Sequence, residues 1–529
     1  NYMPNGVYEV HYNSANCEPE LFENTWTVTQ PMSGGYGEIT KTGFGPGGRF
    51  RISGSFGSEL DVRIVPKADP HPEQLHYPET ATAFNDLGVK WIRLMTPLAS
   101  WFPAEGSYPA DQLSFAGNGR YAGSFGSQFP VGRDYFISLC NDTMRKPYDT
   151  IVYFADDSFL EEAAELWANG DATATPPIPA LDPALDVGVE YANESSWNAG
   201  GPASWYYQRF QGAKRGLYND TPIPIPLQQG NIVEATGELL SGYSSGTYIM
   251  AKLEVSVMVW QAKKNNSAGL TDKVEHVENA AWRIIANVEA VEKAAYRFFS
   301  ERNQECWNIY EAKLGADRVT KMYGVFAGAS INQYKDALRW NDTIKRVDQL
   351  VGGWYWGNGI GFPNIGNYGI DLPGWGPTEK GWLTTDPEAF KDAFFVIANQ
   401  AIDGCLASYD TYRQEAYDWI HSEFGEADAN RVQLGNYEAN THLQFFGGWP
   451  SEIGPMYLEL INDPRWGEMT ERYFTFFGVR GGVHVAFNRT GPREANGGEK
   501  WGFSQNDTDI GLTNYPWQGY KSAIAATQT

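Results

Sequence analysis

The stretch that decides the fold is residues 187–198, which read VGVEYANESSWN. Its first residues form a short apolar run, a pattern typical of a buried strand. The run ends in an Asn-Glu pair, Asn193 and Glu194, and Ser, Trp and Asn follow at once. A carboxylate at the point where a buried strand opens into a loop suits chemistry better than packing.

Short apolar runs of this kind alternate with amphipathic helices from residue 59 onward, which predicts βα units and a parallel sheet. Eight strands are predicted, at residues 60–66, 89–96, 149–154, 186–193, 318–328, 347–357, 431–440 and 481–488. The helix after the third strand would be capped by Asp157 or Ser158. Eight strands with helices between them predict an α/β fold, a (β/α)8 TIM barrel over residues 59–529.

Two regions depart from this alternation. Residues 1–58 are rich in Gly, Thr, Ser and aromatic residues in short alternating runs, which predicts a β-rich N-terminal segment packed on the barrel. Residues 200–316, approximately, show apolar residues at helical spacing, first in TYIMAKLEVSVMVWQAKK at 247–264. This spacing predicts a long helical insertion between the fourth and fifth strands.

Composition limits the classes of function. Forty basic against 64 acidic residues give a net charge of −24, which repels nucleic acid and anionic lipid. No apolar run reaches the roughly 18 residues of a membrane span. We therefore expect neither nucleic acid nor a membrane as a partner. Aromatic residues make up 15% of the chain, which suits stacking on sugar faces, although a large core uses many aromatics too.

The cysteines are widely spaced and include no CxxC pair, so no metal site is predicted. One or two disulfides and four buried free thiols fit the sequence equally well. The cysteines are Cys17, Cys140, Cys306 and Cys405. The motifs GxxxxGK[ST] and HExxH do not occur, and no cofactor is expected.

The chain begins NYMPNGVYEV, without an initiator Met, as a secreted protein does after its signal is removed and as a trimmed chain does too. On the secreted interpretation the protein is extracellular and carries N-linked glycans on some of its sequons, although chance produces several sequons in an Asn-rich chain. The candidates are Asn141, Asn219, Asn265, Asn341, Asn488 and Asn506. Asn193 also heads a sequon but is expected to be bare, because a glycan there would block the cleft.

Two predicted strands end in a glutamate, the fourth at Glu194 and the seventh at Glu438, within LGNYEANTH. A retaining glycosidase requires two such residues, since one attacks the anomeric carbon while the other protonates the leaving oxygen and then activates water. Their carboxyl groups would lie about 5–5.5 Å apart. Either glutamate alone could cap a loop or pair with an arginine, but the two together favour chemistry.

These motifs resemble those of the (β/α)8 retaining glycoside hydrolases, whose acid/base follows an Asn on strand four and whose nucleophile ends strand seven. More narrowly, VGVEYANESSWN and LGNYEANTHL are similar to the motif types YVEYSNEVWN and VAYEGGQHL of secreted, cellulase-like or uncharacterised bacterial proteins. The resemblance implies that Glu194 is the acid/base and Glu438 the nucleophile. It also implies that Asn193 donates a hydrogen bond to the substrate 2-hydroxyl.

The resemblance implies four more substrate-binding residues. Arg93, at the end of strand two, would steady the nucleophile, because a nearby cation lowers the pKa of a carboxylate. Tyr355 would donate a hydrogen bond to the nucleophile, and Trp501 would form the floor of the sugar site. His442 matches a histidine four residues beyond the nucleophile, where a packed or surface histidine fits equally well. The strand-two motif RLMTPLASW and the Ala-Asn-Thr after Glu438 depart from the family, which leaves the subsites open.

Two functions from different classes fit this sequence. The first is a secreted retaining glycoside hydrolase that acts on a polysaccharide or oligosaccharide by double displacement. The alternative is a non-catalytic structural or carbohydrate-binding glycoprotein with a hydrolase-like fold, such as a subunit of an extracellular filament or sheath. Self-assembly into an oligomer or filament belongs to this alternative, which the altered subsite motifs favour, since fold alone does not determine function.

Overall fold

The computed structural model describes most of the chain in segments. These are residues 6–12, 18–21, 26–41, 50–53, 62–66, 76, 78–94, 133–151, 153, 155–174, 177–192, 208, 211–212, 215–217, 248–253, 256–261, 288–325, 331–357, 382–441, 453–486 and 510–527. Within these segments no helix combines the length and the apolar character needed to cross a membrane.

The N-terminal part of the chain forms two small antiparallel sheets. Its strands are β1 (Gly6–Tyr12), β2 (Glu18–Leu21), β3 (Trp26–Ser33), β4 (Tyr36–Lys41), β5 (Phe50–Ser53) and β6 (Val62–Pro66). One sheet has the order β3-β4-β1-β6, and β2 pairs with β5. Tyr8 and Val10 are buried while Val7 is exposed, as the two-residue period of a strand requires. Strands thus occupy the described part of residues 1–58, and their packing on the barrel stays a prediction.

The strand predicted at residues 60–66 as the first of the barrel lies in this N-terminal sheet instead. β6 pairs antiparallel with β1, with Tyr8 opposite Pro66 and Tyr12 opposite Val62. The prediction for this strand was wrong because a short apolar run suits an antiparallel strand as well as a parallel one, and only its partner distinguishes them.

Nine further strands follow along the chain. They are β7 (Trp91–Leu94), β8 (Lys146–Ile151), β9 (Val187–Tyr191), β10 (Tyr248–Leu253), β11 (Ser256–Gln261), β12 (Val319–Gly324), β13 (Gln349–Trp356), β14 (Gln433–Thr441) and β15 (His484–Ala486). Seven of them form one sheet of order β15-β14-β13-β12-β9-β8-β7, in which every pair is parallel. The edge strands β7 and β15 contact each other, so the sheet is nearly closed. The protein is therefore an α/β protein with a barrel-like parallel sheet.

Helices connect these strands, as parallel pairing requires. In the described segments they are α1 (Pro78–Leu87), α2 (Arg133–Thr143), α3 (Asp157–Asn169), α4 (Val288–Leu314), α5 (Lys335–Arg339), α6 (Pro387–Phe424), α7 (Glu426–Arg431), α8 (Ile453–Ile461), α9 (Pro464–Gly478) and α10 (Tyr515–Thr527). Short 3-10 turns lie at Ala316–Arg318, Ile331–Gln333 and Trp340–Lys345. Asp156 caps α3 by accepting a bond from the Phe159 amide at 2.8 Å, so neither Asp157 nor Ser158 is the cap.

The insertion between β9 and β12 is only partly helical. Its C-terminal part is the 27-residue helix α4, as predicted. The segment predicted to begin the insertion as a helix is instead the antiparallel hairpin β10-β11, in which Tyr248 lies opposite Gln261 and Leu253 opposite Ser256. The sequence SVMVWQ of β11 is rich in valine and contains tryptophan, and branching at Cβ together with ring bulk favours a strand over a helix.

The parallel sheet separates two apolar cores. Inside the barrel, Tyr148, Met322, Val351, Tyr437 and Val483 pack together. Gly188 belongs to this interior, because a Cβ there would lie 2.7 Å from the Met322 methyl carbon. A much larger core fills the space between the outer face of the sheet and the helices.

One fully buried carboxylate, Asp149 on β8, accepts hydrogen bonds from three helices that pack on the outer face of the sheet. Arg133 of α2 donates to both of its oxygens, at 2.9 and 3.0 Å. The Trp167 indole of α3 and the Tyr310 hydroxyl of α4 donate to Asp149 Oδ2 at 2.9 and 2.8 Å. Both oxygens of the Asp149 carboxylate thus accept hydrogen bonds from protein side chains. A buried ion pair is tolerated when its polar atoms have such partners.

Candidate active site

Glu438 lies near the carboxyl end of β14, at a break in the register with β13. Asn436 is opposite Gly352 and Glu438 is opposite Gly353, so Tyr437 is an extra residue in the ladder. Such a bulge re-aims the side chains beside it and is common next to active sites. Tyr437 packs in the barrel core, and the Glu438 side chain is 7% exposed. The predicted nucleophile thus lies at the edge where barrel enzymes carry out chemistry.

Arg93 on β7 crosses the interior to β14. Its Nη1 donates to the Tyr437 carbonyl at 3.1 Å and to Glu438 Oε2 at 3.4 Å. Its guanidinium also lies over the Tyr437 ring at 4.8 Å. Burial by itself lowers the pKa of Arg93, yet the negative charges of Glu190 and Glu438 raise it above its ordinary value. The predicted contact between Arg93 and Glu438 is therefore confirmed, with the arginine as a permanent cation.

A second carboxylate, Glu190 on β9, shares this arginine. Arg93 Nη2 donates to Glu190 Oε2 at 3.0 Å, and the Tyr148 hydroxyl donates to the same oxygen at 2.9 Å. Glu190 has no solvent exposure. Burial raises its pKa above the ordinary value, against the opposing effects of Arg93 and Tyr148.

Glu190 was missed in the sequence, although a signal was present. It is the one charged residue within the run VGVEY, which is buried at every position. A charge in the middle of a fully buried strand requires an internal partner.

Gly324 on the neighbouring strand makes room for Glu190. A Cβ at residue 324 would lie 2.1 Å from Glu190 Oε1, well inside van der Waals contact. Only glycine therefore permits the observed Glu190 side-chain position.

We expect Gly324→Ala to lower the free energy of unfolding by about 1–3 kcal/mol, because a methyl group inserted into a filled interior forces side chains and backbone to move. Denaturant unfolding measures the loss. The matched control is Gly511→Ala, since a Cβ at residue 511 meets no atom within 4 Å, and a change within about 0.5 kcal/mol is expected there. Equal stability of the two variants would contradict the close packing at Gly324.

The backbone is strained immediately before the predicted acid/base. Ala192, which follows β9, has a φ of 59°, in the left-handed region that residues with a Cβ avoid. Its amide is held by a 2.8 Å bond to the Ile151 carbonyl, and its side chain is buried. Strain of this kind clusters at functional sites. The strained residue lies two positions before Glu194 in the sequence.

Tyr355 of β13 lies on the strand next to Glu438. It is half-buried and is paired in register with Asn440, two residues beyond Gly353, which faces Glu438. Side chains two residues apart on a strand share a face, so Tyr355 is on the Glu438 side of the sheet. A hydrogen bond between the two stays a prediction. Asn440, one of the residues that depart from the family motif, is 6% exposed and lies on the same face by the same alternation.

Four predicted site residues fall outside the described residues, namely Asn193, Glu194, His442 and Trp501. The distance between the two predicted catalytic carboxylates therefore stays a prediction.

Two of the six candidate sequons are described. The Asn141 amide group is occupied, because Nδ2 donates to the Ala180 carbonyl and Oδ1 accepts from the Asp182 amide, both at 2.8 Å. Asn341 is exposed at the surface, and its Nδ2 donates one longer bond to Glu301 Oε1, at 3.3 Å. Asn219, Asn265, Asn488 and Asn506 lie outside the described residues. Of the two described positions, Asn341 is thus the more accessible to glycosylation.

Three of the four cysteines, Cys140, Cys306 and Cys405, are free and buried. Burial raises the pKa of the thiol to about 12 for Cys306 and Cys405. A thiol in that state is a packing group rather than a nucleophile. Cys17 lies outside the described residues.

Within the described segments, no cluster of three or more His, Cys, Asp or Glu side chains could hold a metal ion. Comparison of the chain with protein-family models, with curated proteins and with solved structures gives no match. Function is therefore inferred from the geometry around Glu438.

Proposed function

We propose that the protein is a retaining glycoside hydrolase in which Glu438 is the nucleophile and Glu194 the acid/base. The observation that carries the proposal is the placement of Glu438 at the carboxyl edge of a parallel, nearly closed sheet, with Arg93 bound to its carboxylate. A complete (β/α)8 barrel is part of the proposal, and seven parallel strands support it.

Solvent exposure distinguishes the two carboxylates that bind Arg93. The Glu190 side chain is 0% exposed and the Glu438 side chain is 7% exposed. A nucleophile must reach the anomeric carbon at close to bonding distance. Glu438 is therefore the carboxylate that meets the sugar, and Glu190 has a supporting role.

In the proposed reaction, the Glu438 carboxylate attacks the anomeric carbon as the bond to the leaving oxygen breaks. Glu194 gives its proton to that oxygen and afterwards takes a proton from the water that attacks the glycosyl-enzyme. Release of the sugar regenerates the Glu438 carboxylate. The positive charge of Arg93 favours the ionised form of Glu438 that this cycle requires.

The proposed substrate is a neutral polysaccharide or oligosaccharide, encountered outside the cell. A net charge of −24 disfavours a polyanionic substrate. Asn440, on the same face of the sheet as the nucleophile, is buried and polar, so it is a candidate for the contacts that select the sugar. The non-catalytic scaffold remains the outcome if no turnover is found.

Covalent trapping tests the proposal. A panel of dinitrophenyl 2-deoxy-2-fluoro-β-glycosides is incubated with the protein. The fluorine slows both formation and hydrolysis of the glycosyl-enzyme, but the good leaving group keeps formation fast, so the intermediate accumulates. Mass spectrometry is expected to find one sugar bound, on the peptide that contains Glu438.

The control for trapping is Glu438→Gln, which should take up no label. Label on another residue would overturn the nucleophile assignment. Absence of both labelling and hydrolysis across gluco-, xylo-, galacto- and mannosides, and the cellobioside, would favour the non-catalytic scaffold.

A further inference from the structure

Glu190 and Glu438 bind the same guanidinium through different nitrogens. Arg93 Nη2 is 3.0 Å from Glu190 Oε2, and Nη1 is 3.4 Å from Glu438 Oε2. One positive charge is thus divided between two carboxylates in the barrel interior. The shorter contact is to Glu190, the carboxylate that a substrate cannot reach.

The hydrogen bonds around Glu190 favour its ionised form. Its Oε2 accepts from Arg93, from the Tyr148 hydroxyl and, at 3.4 Å, from the Thr150 hydroxyl. Its Oε1 is buried, faces Gly324 and has no hydrogen-bond partner among the described residues. A proton on Oε2 would compete with the Arg93 donor, and a proton on Oε1 would have no acceptor in the described part of the chain. Three donors on one oxygen stabilise the negative charge.

We propose that Glu190 is a positioning residue for the reaction proposed above: it holds Arg93 between β9 and β14 and shares the charge of that arginine with Glu438. Glu190 fixes the position of the guanidinium through the shorter contact, and Tyr148 and Gly324 fix Glu190 in turn. The inference deepens the proposed function and rests on it, because its consequence appears in the chemistry of Glu438. An arginine bound to Glu438 alone would stabilise the nucleophile more strongly and make it less reactive.

The charged and titratable groups around the two carboxylates, Glu190 and Glu438, come from several strands. Arg93 faces it from β7, Tyr148 from β8, Tyr355 from β13 and Tyr437 from β14. β12 contributes Gly324 and Met322 to this interior, and Val483 and Val485 lie just before and within β15; none of these four residues titrates. The charge of Glu438 raises the pKa of Glu190, and by reciprocity Glu190 raises the affinity of Glu438 for a proton.

The experiment is the pH dependence of kcat/KM for Glu190→Gln with a dinitrophenyl β-glycoside. Gln is isosteric and still accepts from Arg93 and Tyr148, but it lacks the negative charge. Ionisation of Glu438 becomes easier without that charge, so the acid limb should move to lower pH by about 1 unit. Weaker nucleophilicity should also lower the limiting kcat by about 3- to 10-fold. Glu190→Asp keeps the charge, and its acid limb should stay at the wild-type pH.

The matched control is Asp149→Asn, which neutralises another fully buried, arginine-bound carboxylate, on the outer face of the sheet. A purely structural effect would appear in both variants, whereas the acid limb should move only in Glu190→Gln. Should Glu190→Gln fail to fold, Glu190→Met supplies a second neutral side chain of similar length.

The same charge effect can be followed without turnover. The Glu438 carboxyl carbon is observed by NMR in protein labelled with [5-13C]glutamate and is assigned by its loss in Glu438→Gln. Its titration midpoint should fall in Glu190→Gln. An unmoved midpoint, or an equal shift in Asp149→Asn, would overturn the inference. A shifted midpoint in a protein without any hydrolase activity would uphold the charge coupling and reject the proposed function.

Discussion

Glu438→Gln is expected to lower kcat on aryl β-glycosides by on the order of 10⁴-fold or more, because the variant has no nucleophile with which to form the glycosyl-enzyme. Gln has the same shape as Glu and leaves Arg93 bound to Glu190, so the interior should stay folded. Release of dinitrophenolate measures the loss. The melting temperature, compared with that of the wild type, shows that the loss comes from chemistry.

Glu438→Ala gives a sharper version of this test. It opens a space beside the anomeric carbon, into which a small anion can diffuse. Azide or formate should then restore part of the rate, and azide should yield a glycosyl azide of the configuration opposite to the substrate. Wild-type-like activity of Glu438→Gln would refute the nucleophile assignment. Retained low activity without azide rescue in Glu438→Ala would show that this carboxylate acts in some other way.

Asp149→Ala is expected to lower the free energy of unfolding by about 3–5 kcal/mol. Removal of this carboxylate leaves the Arg133 guanidinium buried, with 1% side-chain exposure, and without its counter-ion. It also leaves the Trp167 indole and the Tyr310 hydroxyl without their acceptor. Each of these donors then bears the cost of desolvation with no compensating bond. The shift of the denaturant midpoint, at constant slope, measures the effect.

The double variant Arg133→Met, Asp149→Leu is the control for this prediction. It removes both charges and fills the space with apolar atoms, so it should recover part of the loss, though not the bonds to Trp167 and Tyr310. A loss below about 1 kcal/mol in Asp149→Ala would mean that water enters and solvates Arg133. Arg133→Met alone should be as damaging as Asp149→Ala, because it leaves the opposite charge buried.

Seven of the predicted strands could be located from the sequence because each is a short apolar run bounded by turn residues, a local pattern. Glu438 and Arg93 could be brought together for a related reason. Parallel strands end at one edge of a sheet, so residues 345 positions apart become neighbours once their strands are recognised. Their pairing was implied by the resemblance to retaining glycoside hydrolases, in which an arginine at the end of strand two steadies the nucleophile.

The partners of strands could not be predicted in the same way. The run at residues 62–66 forms an antiparallel pair with β1, and the segment at 248–261 forms a hairpin rather than a helix. In both places the local pattern fits two structures. Pairing energy depends on the opposing strand and on what covers each face, neither of which is local information.

The sequence by itself determined the class of the fold and the strand that carries Glu438, and the resemblance of its motifs implied the pairing of that residue with Arg93. Only the tertiary structure decided that Arg93 is shared with Glu190, that Tyr148 and Gly324 hold Glu190 in place, and that Ala192 is strained before Asn193. The physical reason is that a periodic pattern specifies which face of a strand is buried. The charge balance of an interior depends instead on which side chains from separate strands come within about 3 Å of one another, and that distance is set by closure of the sheet.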